Sequence, residues 1–370
     1  MSGTLSPGTL SEGPHAICIP SFLAACLRTV GSFYQRTAAQ AFLKRAGQHV
    51  EVFLPFYNWL DERGAVRQIA LQEFRLLSRF YGMTDLRVTH AGYAGQGFLF
   101  ARFYMNPADP RAHEATVSRI RQELKLLRLL RQEYAIPHPL LYVLHCGRRE
   151  KGAGWRESVQ AAVATVRAVL EDAAAAGVCV SVENMYSQPG GEAIGVTLPD
   201  LGDILAQVGT EWIDRGVLGW TFDPSHALLA YSGNYDAIER DLQPLLPSCV
   251  HLHVNHPWTR RNRGGEFLSE WKRGDDYHSA PVRIPHRTRY WSLLRETIMK
   301  SRIPAWRTIT YEVNWAVPIL RPVFGGSLLS EVSIGFEALE RFCNHPTEHL
   351  DVAAVERYID GRLQGRLAQR

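Results

Sequence analysis

Eight short apolar runs alternate along the chain with longer segments in which apolar residues recur every three or four positions. The short runs predict buried strands, and the longer ones predict helices that cover the outside of a sheet. Such alternation is typical of the α/β class, in which crossover helices join parallel strands. Eight units favour a closed (β/α)8 TIM barrel, with an open doubly wound sheet as the alternative. We expect the strands at residues 16–20, 49–55, 86–93, 140–147, 178–184, 218–226, 249–255 and 307–314.

The chain extends beyond these units at both ends and within one loop. Residues 1–14 are rich in Ser, Gly and Pro and predict a disordered leader before a barrel at residues 15–345. Residues 346–370 predict a C-terminal helical extension. The loop between the seventh strand and its helix, residues 256–290, is long and rich in Arg, Gly and aromatic residues. Loops of this length in a compact domain usually carry function or lack order.

Composition narrows the class of protein. A chain of 370 residues with 46% apolar residues can bury a large core and does not belong to the disordered class. A net charge of +4, mostly from Arg, suits anionic ligands but is weak for a surface that binds duplex nucleic acid. No run approaches the ~20 apolar residues of a membrane span. The six cysteines form no CxxC pair, and no Lys or Arg precedes the apolar segment at residues 16–27, so we expect reduced core thiols and a cytoplasmic location.

Side chains that bind metals stand at the carboxyl ends of six successive predicted strands. In a TIM barrel these ends meet at one mouth, where active sites form. Buried carboxylates that converge repel one another unless a cation neutralises them, so the pattern predicts a divalent metal ion, with Mn, Zn, Co, Fe or Mg as candidates. The absence of Cys from the set argues against a closed structural zinc site. The side chains are those of His90, His145, Glu183, Asp223, His226, His253 and Glu312.

Two of these strand ends need a local argument. His251 and His253 face the same side of one strand, and only His253 lies far enough along it to reach the mouth. For His251 two interpretations stay open, a core residue or a residue that supports the ligand. In the stretch FDPSH, Pro224 bends the chain so that His226 can return to the mouth.

Several stretches resemble the xylose isomerase-like barrels, a family that includes sugar and sugar-phosphate isomerases and epimerases, inosose dehydratases and endonuclease IV. The matching pieces are VSVENM, FDPSHA, VHLHVN and YEVN, with VTHAGY and VLHCG as weaker additions. They spread over roughly residues 40–345. The resemblance implies one metal ion bound by Glu183, Asp223, His253 and Glu312.

For a sugar enzyme, the resemblance implies that Glu183 and Glu312 also transfer protons on opposite faces of the substrate. The intermediate would be an enediolate that the metal stabilises. The residues that would contact substrate are His90, His145, His226 and Arg260. The predicted function is thus a metal-dependent isomerase or epimerase that acts on a small sugar or polyol. It would have no membrane partner, and a homo-oligomer is one option for its assembly.

Endonuclease IV offers an alternative within the same resemblance. It implies additional metal ions and hydrolysis of a phosphodiester in abasic DNA, and only here would nucleic acid be a partner. The stretches FDPSHALL and APVRIPHRTRY depart from the nuclease pattern, so the sequence favours the sugar enzyme. A third alternative is a non-catalytic barrel subunit, against which the complete ligand set argues. The additional ligands would be His90, His145, His226, Asp276 and His278.

Overall fold

Eight parallel strands form a closed barrel in the computed structural model of the chain. The structure describes residues 16–21, 36–46, 48–54, 59–60, 65–83, 85–91, 105–186, 192–257, 260–261, 267–268, 278–303, 308–313 and 328–367. The last barrel strand pairs with the first, with Ile17 opposite Ile309, so the open sheet is excluded and the TIM barrel is confirmed. The strands are β1 (Ala16–Pro20), β2 (Val50–Phe53), β3 (Val88–His90), β4 (Leu140–His145), β5 (Val178–Glu183), β6 (Leu218–Phe222), β7 (Cys249–His253) and β8 (Thr308–Thr310).

Helices join the strands and cover the barrel. Apolar side chains on their inner faces, such as Leu127 and Val166, are fully buried. Burial of each such side chain stabilises the fold by about 1.5–3 kcal/mol. None of the described helices is long and apolar enough to cross a membrane. The helices are α1 (Arg36–Ala46), α2 (Ala70–Tyr81), α3 (His113–Glu133), α4 (Trp155–Ala176), α5 (Leu198–Val208), α6 (Thr210–Asp214), α7 (Pro224–Ala230), α8 (Tyr235–Leu242), α9 (Arg287–Lys300), α10 (Leu328–Asn344) and α11 (Val352–Leu367).

Most strands end earlier than the apolar pattern predicts. β2 ends at Phe53 and β3 at His90, yet the next residues, Leu54 and Ala91, are also buried. Apolar character therefore continues past the last paired residue, because the first loop residues at the mouth pack into the core. At these positions the apolar pattern of the sequence reflects burial of the side chains and not hydrogen bonding of the backbone to a neighbouring strand.

Side chains from successive strands fill the barrel interior. Ser181 and Thr221 share a hydrogen bond of 2.6 Å inside the barrel, and the interior becomes more polar toward the carboxyl ends of the strands. The five described cysteines are free and buried, as predicted for core thiols, whereas Cys26 lies outside the described residues. Apart from the large core, the buried residues form a second, small apolar cluster. It consists of Cys18, Val88, Leu141, Val143 and Cys179, with Val250 packed against it.

The long loop after β7 contains two short antiparallel ribbons. His256–Pro257 pairs with His278–Ser279, which places His278 opposite Pro257. Further along, Arg260–Arg261 pairs with Phe267–Leu268. The first ribbon returns the chain to the end of β7, and His278 therefore lies beside the barrel mouth.

The C-terminal extension packs against the barrel helices. Ile359 of α11 is fully buried. Arg287 of α9 donates a hydrogen bond of 2.9 Å to Asp360, and Glu337 of α10 accepts hydrogen bonds from Tyr358 and Arg362. The predicted C-terminal helix is therefore confirmed as part of the folded unit. The predicted leader, residues 1–14, lies outside the described residues.

Gly147, just after β4, is expected to be the least replaceable glycine near the mouth. Its φ is +89°, and a Cβ there would overlap Asn106 Oδ1 and lie 2.9 Å from Ala108 N. Gly147→Ala should lower the free energy of unfolding by about 2–4 kcal/mol, because backbone strain and steric overlap add. Gly152→Ala is the matched control, with φ of +88° and no atom within 4 Å of its Cβ. Urea denaturation of both variants tests this, and equal losses of stability would contradict the packing argument.

Candidate metal centre

The seven strand-end side chains predicted from the sequence all face one mouth. Four of them are the final residues of β3, β4, β5 and β7, and the other three closely follow β6 and β8. Each of these residues, backbone included, is at most 6% exposed. Their potential ligand atoms form adjoining sets, each with all atoms within 4.8 Å of one another. The seven are His90, His145, Glu183, Asp223, His226, His253 and Glu312.

The four-ligand group consists of Glu183, Asp223, His253 and Glu312. His253 Nδ1 lies 3.0 Å from Glu312 Oε2, 3.1 Å from Glu183 Oε1 and 3.6 Å from Asp223 Oδ2. Three carboxylates and one imidazole around a single point suit Mn²⁺, Fe²⁺, Co²⁺ or Zn²⁺. The structure thus brings together the four residues that the family resemblance implies as metal ligands.

The histidine group consists of His90, His145 and Glu183. His90 Nε2 and His145 Nε2 lie 3.3 Å and 3.0 Å from the same oxygen, Glu183 Oε2. His90 Nδ1 donates to the carbonyl oxygen of Ala91 at 2.8 Å. A neutral His90 therefore turns an unprotonated nitrogen toward a carboxylate oxygen, which is repulsive unless a cation or a proton lies between them. Burial opposes protonation, but Glu183 outweighs it and raises the pKa of His90.

The rim group consists of Asp223, His226 and His278. His226 Nδ1 donates to the carbonyl oxygen of Asn184 at 2.8 Å, so the Nε2 of a neutral ring carries no proton. His278 Nδ1 lies 3.3 Å from Glu312 Oε2, and its side chain is only 13% exposed. His278 is therefore part of the mouth and not of an exposed loop.

Asp223 connects β6 to helix α7. Its Oδ1 accepts the backbone N–H of His226 at 2.9 Å, and Pro224 occupies the first turn of the helix. Both features stabilise a helix start. The stretch predicted at residues 218–226 is a strand only as far as Phe222, and the bend expected at Pro224 is the start of a capped helix. One helical turn places His226 beside the carboxylate that caps it.

Two asparagines that the sequence did not single out orient Asp223. Asn184 Nδ2 donates to the Asp223 carbonyl oxygen at 2.9 Å, and Asn184 Oδ1 accepts the Asp223 N–H at 2.7 Å. Asn255 Nδ2 donates to Asp223 Oδ2 at 2.7 Å and lies 3.4 Å from Glu312 Oε2. Asn184 follows Glu183 in VEN, and Asn255 follows His253 in HVN. Their positions directly after predicted ligands could have identified them from the sequence.

Glu51 is a fourth buried carboxylate, in the middle of β2. It is 0% exposed, and its Oε2 lies 3.4 Å from His253 Nε2 and 3.7 Å from His251 Nε2. An acidic residue inside the apolar run HVEVFLP was the signal that the sequence offered.

His251 lies below the mouth, where its Nδ1 donates to the Thr308 carbonyl oxygen at 3.1 Å. His251 is thus a buried residue of the barrel interior. Of the two histidines on this strand, His253 is the one at the mouth.

Two predicted site residues belong to the long loop. The backbone of Arg260 pairs with Leu268 in a short ribbon. Asp276 lies outside the described residues. Substrate binding by Arg260 and metal binding by Asp276 therefore stay predictions.

The carboxylates of the four-ligand group and of Glu51 form their ion pairs, among the described residues, with histidine rings alone. Burial opposes ionisation of Glu312, but His278 and His253 hold its pKa at about 2. Burial also opposes the charged form of His253, yet Glu312, Glu183 and Glu51 raise its pKa well above the usual range. Protons on histidines therefore balance part of the negative charge when no metal is bound. The donor set fits divalent cations, which would replace those protons.

The metal-free protein is expected to lose stability as the pH rises above 6.5, the ordinary pKa of His. His253 has a raised folded-state pKa, so its contribution is complete below 6.5 and is lost as the pH rises through that pKa. Glu312 has a lowered pKa, so its contribution is present above 4.5 and is lost as the pH falls toward about 2. Zn²⁺ replaces protons, and the increase in Tm that it causes should therefore be larger at high pH. Melting curves with and without Zn²⁺ on both sides of pH 6.5 measure this, and equal Zn²⁺ effects would contradict it.

Known structures share the barrel. A D-tagatose 3-epimerase-like protein is 18% identical, with 88% of this chain and 99% of that chain covered and a TM-score of 0.53. D-psicose 3-epimerase from Clostridium cellulolyticum H10 is 15% identical, with coverage of 84% and 93% and a TM-score of 0.51. An L-ribulose 3-epimerase is 14% identical, with coverage of 91% and 97% and a TM-score of 0.51. At such identities these structures show the fold alone.

A family assignment comes from the sequence itself. No curated protein matches the chain in sequence. Residues 41–281, more than half of the chain, match the family model described as the xylose isomerase-like TIM barrel. This match confirms the family that the strand-end motifs resemble. The chain belongs to the xylose isomerase-like TIM barrel family.

Proposed function

We propose that this protein is a metal-dependent phosphodiesterase whose site holds more than one divalent ion. The observation that carries the proposal is that the four-ligand, histidine and rim groups adjoin one another and share Glu183 and Asp223. Carboxylates that belong to two neighbouring groups can bridge two ions, as sites with paired metals require. The donors are nitrogen and oxygen atoms without sulfur, which suits a catalytic site better than a structural one.

A single ion in the four-ligand group would leave ring protons as the source of positive charge in the histidine group. His90 Nε2 and His145 Nε2 would still face Glu183 Oε2, at 3.3 Å and 3.0 Å. A second ion held by His90, His145 and Glu183 would take the place of those ring protons and would remove the repulsion that a neutral His90 meets. Together with Glu51, the three carboxylates of the four-ligand group are buried and would carry four negative charges, which two divalent ions would balance.

The residues of the site define where a substrate would enter. Divalent ions in these groups would supply the positive charge that phosphoryl transfer requires. Asn255 donates a 2.7 Å hydrogen bond to Asp223 Oδ2. This bond fixes the orientation of the carboxylate that the four-ligand group and the rim group share. His278 and His145 have the most exposed side chains of the three groups, at 13% and 7%. A substrate phosphate would approach beside them, and the net charge of +4 favours its approach.

Sugar isomerisation or epimerisation is the second candidate. It is favoured by Glu183 and Glu312, which come from β5 and β8 and both lie within 3.1 Å of His253 Nδ1. Two carboxylates around one ion could transfer protons on two faces of a substrate. A proton-transfer base needs an accessible oxygen, however, and both oxygens of Glu183 contact histidine rings. The sugar enzyme that the sequence favours therefore ranks second on the geometry.

Two parallel assays separate these functions. Metal-free protein is reloaded with Zn²⁺ or Mn²⁺ and incubated with bis(4-nitrophenyl) phosphate and with abasic duplex DNA. Separate samples are incubated with ketohexoses in deuterated solvent, and the incorporation of deuterium at the carbon atoms of the sugar is measured. We expect metal-dependent hydrolysis of the diester without deuterium exchange. Exchange without hydrolysis would replace the proposal with the sugar enzyme, and the absence of both would favour a non-catalytic barrel.

A further inference from the structure

Glu51 is a buried charge that the proposed chemistry does not use directly. Its side chain is 0% exposed in the middle of β2, and neither carboxylate oxygen makes a hydrogen bond within the described residues. A buried charge without a partner costs several kcal/mol. The fold therefore needs a group that compensates Glu51, and two histidine rings lie close enough to be considered.

His253 has the geometry of that partner. Its Nδ1 faces the three carboxylates of the four-ligand group, and its Nε2 lies 3.4 Å from Glu51 Oε2. Among the described residues, His253 Nε2 has no hydrogen-bond partner. When Nδ1 binds a cation, the proton of a neutral ring resides on Nε2. Glu51 Oε2, 3.4 Å away, is the carboxylate oxygen beside that nitrogen, and a small turn of either side chain would let the proton reach it.

His251 does not offer a proton in the same way. Its Nδ1 donates to the Thr308 carbonyl oxygen at 3.1 Å, so the Nε2 of a neutral ring is an acceptor. Nε2 lies 3.2 Å from the Thr310 hydroxyl, which can donate to it, and 3.7 Å from Glu51. Of the two rings, His253 is therefore the one that can donate a proton to Glu51.

Two other candidate ligands in the mouth turn their outer nitrogen to a backbone carbonyl. His90 Nδ1 donates to Ala91 and His226 Nδ1 donates to Asn184, both at 2.8 Å. A carboxylate is a stronger acceptor, and it both determines the tautomer and makes the ring a better metal ligand. We propose that Glu51 is a positioning residue that keeps the proton of His253 on Nε2 and raises the affinity of the four-ligand group for a divalent ion. This inference rests on metal binding as proposed above.

The test measures metal affinity and fold stability separately in three variants. Glu51→Leu removes the acceptor, Glu51→Met is a second apolar replacement in case the first fails to fold, and Glu51→Gln keeps a neutral acceptor. Zn²⁺ dissociation constants come from competition with a chromophoric chelator, and Tm is measured on metal-free protein. The Leu and Met variants should bind Zn²⁺ about 10–100-fold more weakly, and the Gln variant should recover part of that loss. Their metal-free Tm should stay equal or rise, because a buried charge is removed.

The outcomes separate the inference from the function on which it rests. Weaker Zn²⁺ binding at unchanged or higher Tm, with partial rescue by Gln, supports the positioning role. Wild-type affinity in both apolar variants overturns the role of Glu51 and leaves the proposed function intact. A parallel loss of Tm and affinity in all three variants indicates a merely structural residue and also overturns it. If the wild-type protein binds neither Zn²⁺ nor Mn²⁺, the proposed function fails, and the inference fails with it.

Discussion

Glu183→Gln is expected to reduce metal-dependent diester hydrolysis by about 1000-fold or more. Glu183 belongs to both the four-ligand group and the histidine group, so under the proposed function its replacement would affect two ions at once. Gln keeps the shape and one oxygen donor but removes the negative charge and the ability to bridge. Metal analysis by mass spectrometry should therefore show fewer ions per chain than the wild type, and hydrolysis rates on the same samples give the loss of activity.

Glu123→Gln is the matched control for this variant. Glu123 is also a buried glutamate, but it accepts from Tyr142 and pairs with Arg119 on helix α3, away from the mouth. Its replacement should lower stability and leave the metal content and activity per folded chain unchanged. A Glu183→Gln variant with wild-type activity and metal content would contradict the bridging role.

His90→Phe is expected to remove one ion per chain and to lower hydrolysis by about 100-fold. The His90 ring is stacked on Phe53 with centroids 4.4 Å apart, and a phenyl ring can keep this contact while lacking the nitrogen ligands. With a single-ion sugar site, the same variant would keep its full metal content because the four-ligand group is untouched. The number of ions per chain in His90→Phe therefore distinguishes the two functions.

His138→Phe provides the control for loss of a buried histidine. His138 precedes β4 and contacts Asp85 at the opposite end of the barrel strands. The variant should lose stability with no change in metal per chain. Equal metal content in the wild type, His90→Phe and His138→Phe would exclude an ion in the histidine group.

The strand positions could be predicted because barrel strands are buried on both faces and appear as continuous apolar runs. A polar residue at the end of such a run, such as Glu183 after VCVSV, is costly to bury and so indicates a site. The same argument identifies Glu51 only in part. Its charge is visible within HVEVFLP, but its partner His253 lies on another strand, and a contact so distant in sequence leaves no local pattern.

The sequence by itself determined the strand order, the barrel class and six strands that end in potential ligands, because burial imposes an apolar pattern that each strand carries locally. Only the tertiary structure decided how those ligands group. The register of the ribbon between His256–Pro257 and His278–Ser279 brings His278 to the mouth, and closure of the barrel places the ligands of β3, β4, β5 and β7 around shared carboxylates. The number of ions depends on distances of a few ångströms between separate strands, and packing of the whole ring sets those distances.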